Sequence, residues 1–161
     1  MGRPWFSCEP VDASFFETAP VRLVGRFRVP RPAADVWAEL TGERPLSWCR
    51  ILDEVRWTSP RPFGVGTTRE VNAVRGTNVL REHYFRWEEG RQHSFYVAEA
   101  STPLARRFAE DYLVEPTGEG SCLFTWRICF EPRLLAAPAV PLNRLLLRTL
   151  FTDTRDHYGL R

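Results

Sequence analysis

Between residues 54 and 131 the sequence alternates repeatedly between strand-like segments and short turn segments. The predicted strands span 54–58, 67–74, 78–88, 91–100, 108–115 and 121–131. The segments between them carry glycine or proline, which are typical of turns. This succession of strands and turns predicts an antiparallel meander.

A further strand is predicted over 21–29, upstream of this series. Leu23, Phe27 and Val29 fall on one face and arginines on the other, which is the pattern of a half-buried strand. Pro30 ends this strand.

Helical patterns follow the first strand and close the chain. A short helix is predicted over 33–40, and a second helical turn around 46–49. In the tail, leucines recur at helical spacing, which predicts a long C-terminal helix over 141–157. Residues 1–20 show neither period. They are interpreted as an N-terminal extension, packing aromatic side chains such as Trp5, Phe15 or Phe16 on a domain over 21–161.

Composition excludes several classes of function. All 22 basic residues are arginine, so mechanisms that need a lysine nucleophile or a P-loop lysine are excluded. The net charge of +2 gives no electrostatic reason to expect nucleic-acid binding. No uncharged apolar stretch reaches membrane-spanning length, so membrane insertion is not expected.

The cysteines and the N-terminal segment indicate a compartment. The four cysteines form no CxxC pair, and acidic residues interrupt the N-terminal segment where a signal peptide would be apolar. We therefore expect reduced thiols and a cytoplasmic protein. The oligomeric state is left open between monomer and homodimer.

Two hairpins predict which residues share a face. A five-residue loop over 116–120 would pair Tyr112 with Phe124 and Glu110 with Trp126. A three-residue loop over 88–90, with Gly90 in the left-handed conformation, would join two more strands. This second loop would bring aromatic side chains together on the inner face, along with two histidines: Phe85, Trp87, Phe95, His83 and His93.

The order of elements and several local motifs resemble those of the START-like superfamily, in its polyketide cyclase/dehydrase (SRPBCC) branch. The resemblance covers about residues 20 to 157. It rests on four segments: Val29-Pro30-Arg31-Pro32-Ala33-Ala34-Asp35-Val36-Trp37, Gly64-Val65-Gly66-Thr67, Arg86-Trp87-Glu88-Glu89-Gly90-Arg91-Gln92, and the stretch from Tyr112 to Trp126. Glu89-Gly90 stands where family members usually carry two prolines, a departure that concerns the turn more than the pocket.

The resemblance implies an α+β helix-grip fold. A curved antiparallel sheet of about six to seven strands would wrap around the long C-terminal helix, with two short helices after the first strand. It also implies a cavity between sheet and helix for a hydrophobic or aromatic small molecule, lipid-like or polyketide-like. The aromatic inner face and the leucines at 142, 146 and 150 fit such a cavity, although the same aromatics would also fill a core. The predicted ligand-binding residues are Trp57, Arg69, His83, Phe85, His93, Phe95, Tyr112, Phe124, Trp126, Leu146 and Leu150.

The chemistry of the cavity leaves alternatives open. Binding without catalysis is the favoured hypothesis. The opposing one is a cyclase or dehydratase that transfers protons through His83, Glu110 and Tyr112. Glu110 would instead be solvated, or paired with Arg69, if it is not catalytic. An inward-facing Arg69 would clamp a carboxylate or phosphate.

No cofactor or metal is expected from the sequence. A zinc site at His83 and His93 would need further ligands, for which only Glu110 and Asp111 are near. A protein-binding role on the same scaffold is the third hypothesis.

Overall fold

The computed structural model describes residues 2–161, and its centre is one antiparallel sheet. The sheet has eight strands, of which seven follow the order β2-β8-β7-β6-β5-β4-β3 and β1 pairs with β6. The strands are β1 (Phe6–Ser7), β2 (Val21–Val29), β3 (Leu52–Trp57), β4 (Thr68–Ala73), β5 (Asn78–Glu88), β6 (Gln92–Ala100), β7 (Ala105–Gly118) and β8 (Ser121–Pro132). This curved sheet confirms the predicted fold class and the strand series.

The helices are α1 (Phe15–Thr18), α2 (Ala33–Thr41) and α3 (Val140–His157), and a 3-10 helix (Leu134–Ala139) leads into α3. Helix α3 lies across the inner face of the sheet and buries Leu150 and Phe151. Phe151 of α3 packs on β2 at Gly25, where a Cβ atom would lie 2.8 Å from the Phe151 ring. The glycine therefore allows the helix to reach the sheet.

The second helical turn predicted around 46–49 is a tight turn in the structure. The amide of Cys49 donates to the carbonyl of Leu46 at 2.9 Å. Leu46 has a φ of 59°, outside the right-handed helical region, so the helix cannot continue through it.

The N-terminal residues pack on the outer face of the sheet. Strand β1 adds to β6, with Phe6 opposite Ala100. Helix α1 buries Phe15 and Phe16 against the outer side of β7 and β8. These elements are two and four residues long, which is too short for a period to show in the sequence.

The β5–β6 hairpin differs from its predicted register. Glu88 pairs with Gln92, so the loop is 89–91, and Gly90 within it has a φ of 80°. A bulge between Tyr84 and Arg86 also shifts the alternation along β5.

This shift reverses the predicted faces of His83 and Phe85, whereas Trp87 keeps its predicted place on the inner face. Tyr84 and Trp87 point inward beside His93. His83 and Phe85 point outward, where both lie beside Tyr96. The prediction that His83 and Phe85 share the inner face with His93 was wrong.

The β7–β8 hairpin is shifted by two residues from the prediction. Tyr112 pairs with Trp126 and Glu110 with Ile128, because the strands continue to Gly118 and Ser121. A two-residue shift keeps every side chain on its predicted face. The predicted aromatic inner face of β8 is therefore preserved.

Candidate ligand-binding cavity

A cavity of about 280 Å³ lies between the inner face of the sheet and the first half of α3. Most of its wall is aliphatic or aromatic. The sheet contributes Val71, Ala73, Leu80, Val97, Ala100, Phe108, Tyr112, Trp126 and Phe130, and α3 contributes Asn143, Leu146, Leu147 and Leu150. Small residues at 73 and 100 leave the space that larger side chains would fill.

The cavity has a closed end and a mouth. Val74 and Thr77, in the turn between β4 and β5, are exposed at the mouth. Arg69, Glu82 and Glu110 are buried and lie at the closed end. The charged side chains of the cavity wall are therefore concentrated where solvent is excluded.

Arg69 and Glu82 form a buried ion pair at this closed end. The Nε of Arg69 donates to Oε2 of Glu82 at 2.5 Å. The guanidinium carbon also lies 4.9 Å from the centre of the Phe95 ring. Burial raises the pKa of Glu82, and the neighbouring Arg69 cation opposes that shift. Nη1 of Arg69 has no acceptor in the protein.

Glu110 is the second carboxyl group of the closed end. Its Oε2 accepts hydrogen bonds of 2.8 Å from the Tyr112 hydroxyl and from Nε1 of Trp126. Burial, followed by repulsion from Glu82, raises the pKa of Glu110 to about 7. This carboxyl group therefore exchanges its proton near neutral pH and can act as either a donor or an acceptor of hydrogen bonds.

His93 lies next to the cavity within an aromatic cluster. Its ring is fully buried and packs against Trp37, Trp87, Tyr84 and Tyr112. Neither ring nitrogen has a hydrogen-bond partner. Burial, with a smaller contribution from the Arg69 charge, lowers the pKa of His93 to about 3. The imidazole is therefore neutral at physiological pH.

The predicted binding residues separate into three groups. Five line the cavity: Arg69, Tyr112, Trp126, Leu146 and Leu150. Four belong to the hydrophobic core around it: Trp57, His93, Phe95 and Phe124. His83 and Phe85 lie on the opposite face of the sheet. Leu142, expected to face the cavity, is 59% exposed.

Sequence reasoning missed Glu82, although it did consider Glu110. Glu82 alternates with Leu80 and Tyr84 along β5, and this alternation would have placed all three on one face. The prediction instead placed Phe85 on the inner face with Trp87, which puts Glu82 on the outer face. The bulge between Tyr84 and Arg86 breaks this alternation, so Phe85 and Trp87 point to opposite faces.

The metal-ligand geometry considered for the two histidines does not form. His83 and His93 lie on opposite faces of the sheet. Asp111 also points outward, where it accepts hydrogen bonds from Gln92, Ser94 and Arg127. Within residues 2–161, no group of three or more His, Cys, Asp or Glu side chains is placed to hold a metal ion.

One helical segment, Leu134–His157, is long and apolar enough by length and composition to cross a membrane. In the structure this segment is the 3-10 helix followed by α3, whose second half packs on the sheet.

A curved antiparallel sheet that holds a long C-terminal helix over a cavity defines the START-like class of folds. A START superfamily protein from Mycobacterium smegmatis superposes with a TM-score of 0.69 at 13% identity, covering 86% of this chain and 97% of that one. Major latex-like protein 151 from Panax ginseng superposes with a TM-score of 0.60 at 21% identity, covering 86% and 97%.

The chain belongs to the polyketide cyclase/dehydrase and lipid transport family, whose profile matches residues 20–158. Uncharacterized proteins of Mycobacterium bovis and Mycobacterium tuberculosis are each 36% identical to it over 166 residues, covering 97% of this chain and 95% of theirs. These matches confirm the resemblance on which the predicted fold was based.

Proposed function

We propose that this protein binds a hydrophobic or amphipathic small molecule, lipid-like or polyketide-like, in the cavity between the sheet and α3. The observation that carries the proposal is an apolar cavity of about 280 Å³ with a few buried polar groups at its closed end. Ligand sites commonly combine apolar walls with a small number of polar groups that orient the ligand. Membership of a family described by lipid transport supports the same conclusion.

Native mass spectrometry of gently purified protein tests this proposal directly. We expect an added mass that organic solvent removes, which would identify the chemical class of the ligand. Thermal-shift measurements with lipids, polyketides and aromatic acids test it independently. No added mass together with flat thermal shifts would contradict the proposal and favour the protein-binding hypothesis.

A pair of alanines on β6 provides a matched test of the cavity. Ala100 lines it, whereas Ala98 does not. We expect Ala100→Leu to lower ligand affinity at least tenfold because the new side chain fills the cavity. Ala98→Leu makes the same chemical change on the same strand and should leave affinity within twofold. Equal affinities for the two variants would place the ligand elsewhere.

Proton-transfer catalysis is the second candidate function, favoured by the position of Glu110 beside Tyr112 in the cavity wall. The near-neutral pKa of Glu110 suits a general acid or base. His83 cannot share this role from the outer face. With a substrate identified, Glu110→Gln should abolish turnover and His83→Ala should preserve it. Full turnover by Glu110→Gln would exclude this mechanism.

A further inference from the structure

We propose that the closed end of the cavity receives an uncharged oxygen of the ligand, a carbonyl or a hydroxyl, and discriminates against carboxylate and phosphate groups. This inference rests on the proposed binding function and specifies its ligand. It follows from how the charged side chains of the cavity wall are already paired.

The charge of the cavity wall disfavours an anion. The wall contains three side chains of basic or acidic residues, namely the guanidinium of Arg69 and the carboxyl groups of Glu82 and Glu110. Arg69 already donates its Nε–H to Glu82, so its charge is balanced within the protein. An anionic ligand would add a further negative charge beside two carboxyl groups in a poorly solvated space, where repulsion is strong.

Unused hydrogen-bonding capacity suits a neutral group instead. Both protein donors to Glu110 reach Oε2, and within residues 2–161 Oε1 forms no side-chain hydrogen bond. A protonated Glu110 can donate to a ligand carbonyl, and an ionised one can accept from a ligand hydroxyl. Nη1 of Arg69 is a further buried donor without an acceptor.

The size of the cavity sets the size of suitable probes. At about 30 Å³ for each water-sized volume, the 280 Å³ cavity holds about nine or ten non-hydrogen atoms. Methyl hexyl ketone, octanol and octanoic acid, with nine, nine and ten non-hydrogen atoms, match this size and differ chiefly in the polar group.

The test compares these three probes by calorimetric titration of the full chain at pH 6 and pH 8. At pH 8 we expect the ketone and the alcohol to bind at least tenfold more tightly than octanoic acid. Binding of the ketone should weaken from pH 6 to pH 8, because Glu110, its hydrogen-bond donor, loses its proton. Binding of the alcohol should weaken less, since its hydroxyl can donate to the Glu110 carboxylate. Octanoic acid should bind better at pH 6, where protonation costs less.

Two carboxyl variants on β7 test the role assigned to Glu110. Glu110→Gln supplies an amide donor at both pH values, so ketone affinity should no longer depend on pH. Glu115→Gln, on the same strand but outside the cavity wall, should retain the pH dependence. Retention of that dependence in Glu110→Gln would overturn the inference.

The wild-type measurement decides the inference even where a variant fails to fold. Octanoic acid binding as tightly as the ketone at pH 8 would overturn the inference and leave the proposed function standing. Binding of none of the three probes, together with no ligand in native mass spectrometry, would overturn both.

Discussion

Arg69 and Glu82 lie directly opposite each other on strands β4 and β5 and form an ion pair with only 1% and 4% of their side chains exposed. The register of these two strands places a cation and a carboxylate in contact inside an apolar half-barrel. Each charge compensates the loss of hydration of the other. The pair therefore belongs to the fold and to the cavity wall at the same time.

Removing one partner of this pair should lower the free energy of unfolding more than removing both. We expect Arg69→Met or Glu82→Met to lower the free energy of unfolding by about 3–5 kcal/mol, because an unpaired charge stays buried. The double variant should lose less than either single variant, because no unpaired charge remains buried. Urea denaturation measures all three. The exposed pair of Arg91 and Glu88 is the control, where Arg91→Met should cost at most about 1 kcal/mol. Additive losses at Arg69 and Glu82 would contradict this account.

Glu110 should make stability decrease as pH rises towards neutral. Its pKa of about 7 in the folded protein exceeds the unfolded value near 4.5, so the folded state binds the extra proton between these values. The contribution of Glu110 to the free energy of unfolding is therefore complete below pH 4.5. It decreases by about 3 kcal/mol as the pH rises to 7. Relative to Glu110→Gln, the wild type should weaken by that amount across this window. If the free energies of unfolding of the two proteins changed with pH in the same way, the raised pKa of Glu110 would be refuted.

His93 should act in the opposite direction, on the acid side. Its pKa is about 3 in the folded protein and 6.5 in the reference state, so the unfolded chain gains the proton first as pH falls. Stability from this group is therefore lost below pH 6.5, by about 2 kcal/mol at pH 5.

The His93→Phe variant isolates this effect. At pH 7 we expect it to unfold with nearly the wild-type free energy, because no hydrogen bond is lost. At pH 5 it should be more stable than the wild type by about 2 kcal/mol. Chemical denaturation at both pH values measures the difference. A variant that is strongly destabilised at pH 7 would indicate a hydrogen-bonding role for the ring.

Gly25 should tolerate no side chain. A Cβ atom there would lie 2.8 Å from ring atoms of both Phe151 and Phe27, so these rings would have to shift. We expect Gly25→Ala to lower the free energy of unfolding by about 1–3 kcal/mol through overpacking. Gly64→Ala is the matched control, because no atom lies within 4 Å of its added Cβ. Equal stability of the two variants would show that α3 accommodates the methyl group without cost.

Local patterns determined the elements of this fold. Strand β2 was predicted with the observed bounds because its apolar and arginine residues alternate without interruption. The inner face of β8, with Phe124 and Trp126, was also predicted, and a register shift of two residues left it intact. Periodicity is a property of neighbouring residues, and it therefore survives in the sequence alone.

Tertiary structure decided which polar groups meet in the cavity. The bulge between Tyr84 and Arg86 turns His83 outward, and the continuous alternation before it turns Glu82 inward to face Arg69. A bulge forms where two strands of unequal local length must stay paired, so it depends on the partner strand as well as on β5. The sequence by itself thus determined the order of the elements and the aromatic inner face. Only the pairing of distant strands decided which charges that face contains, because a shift of one residue reverses the side of every residue beyond it.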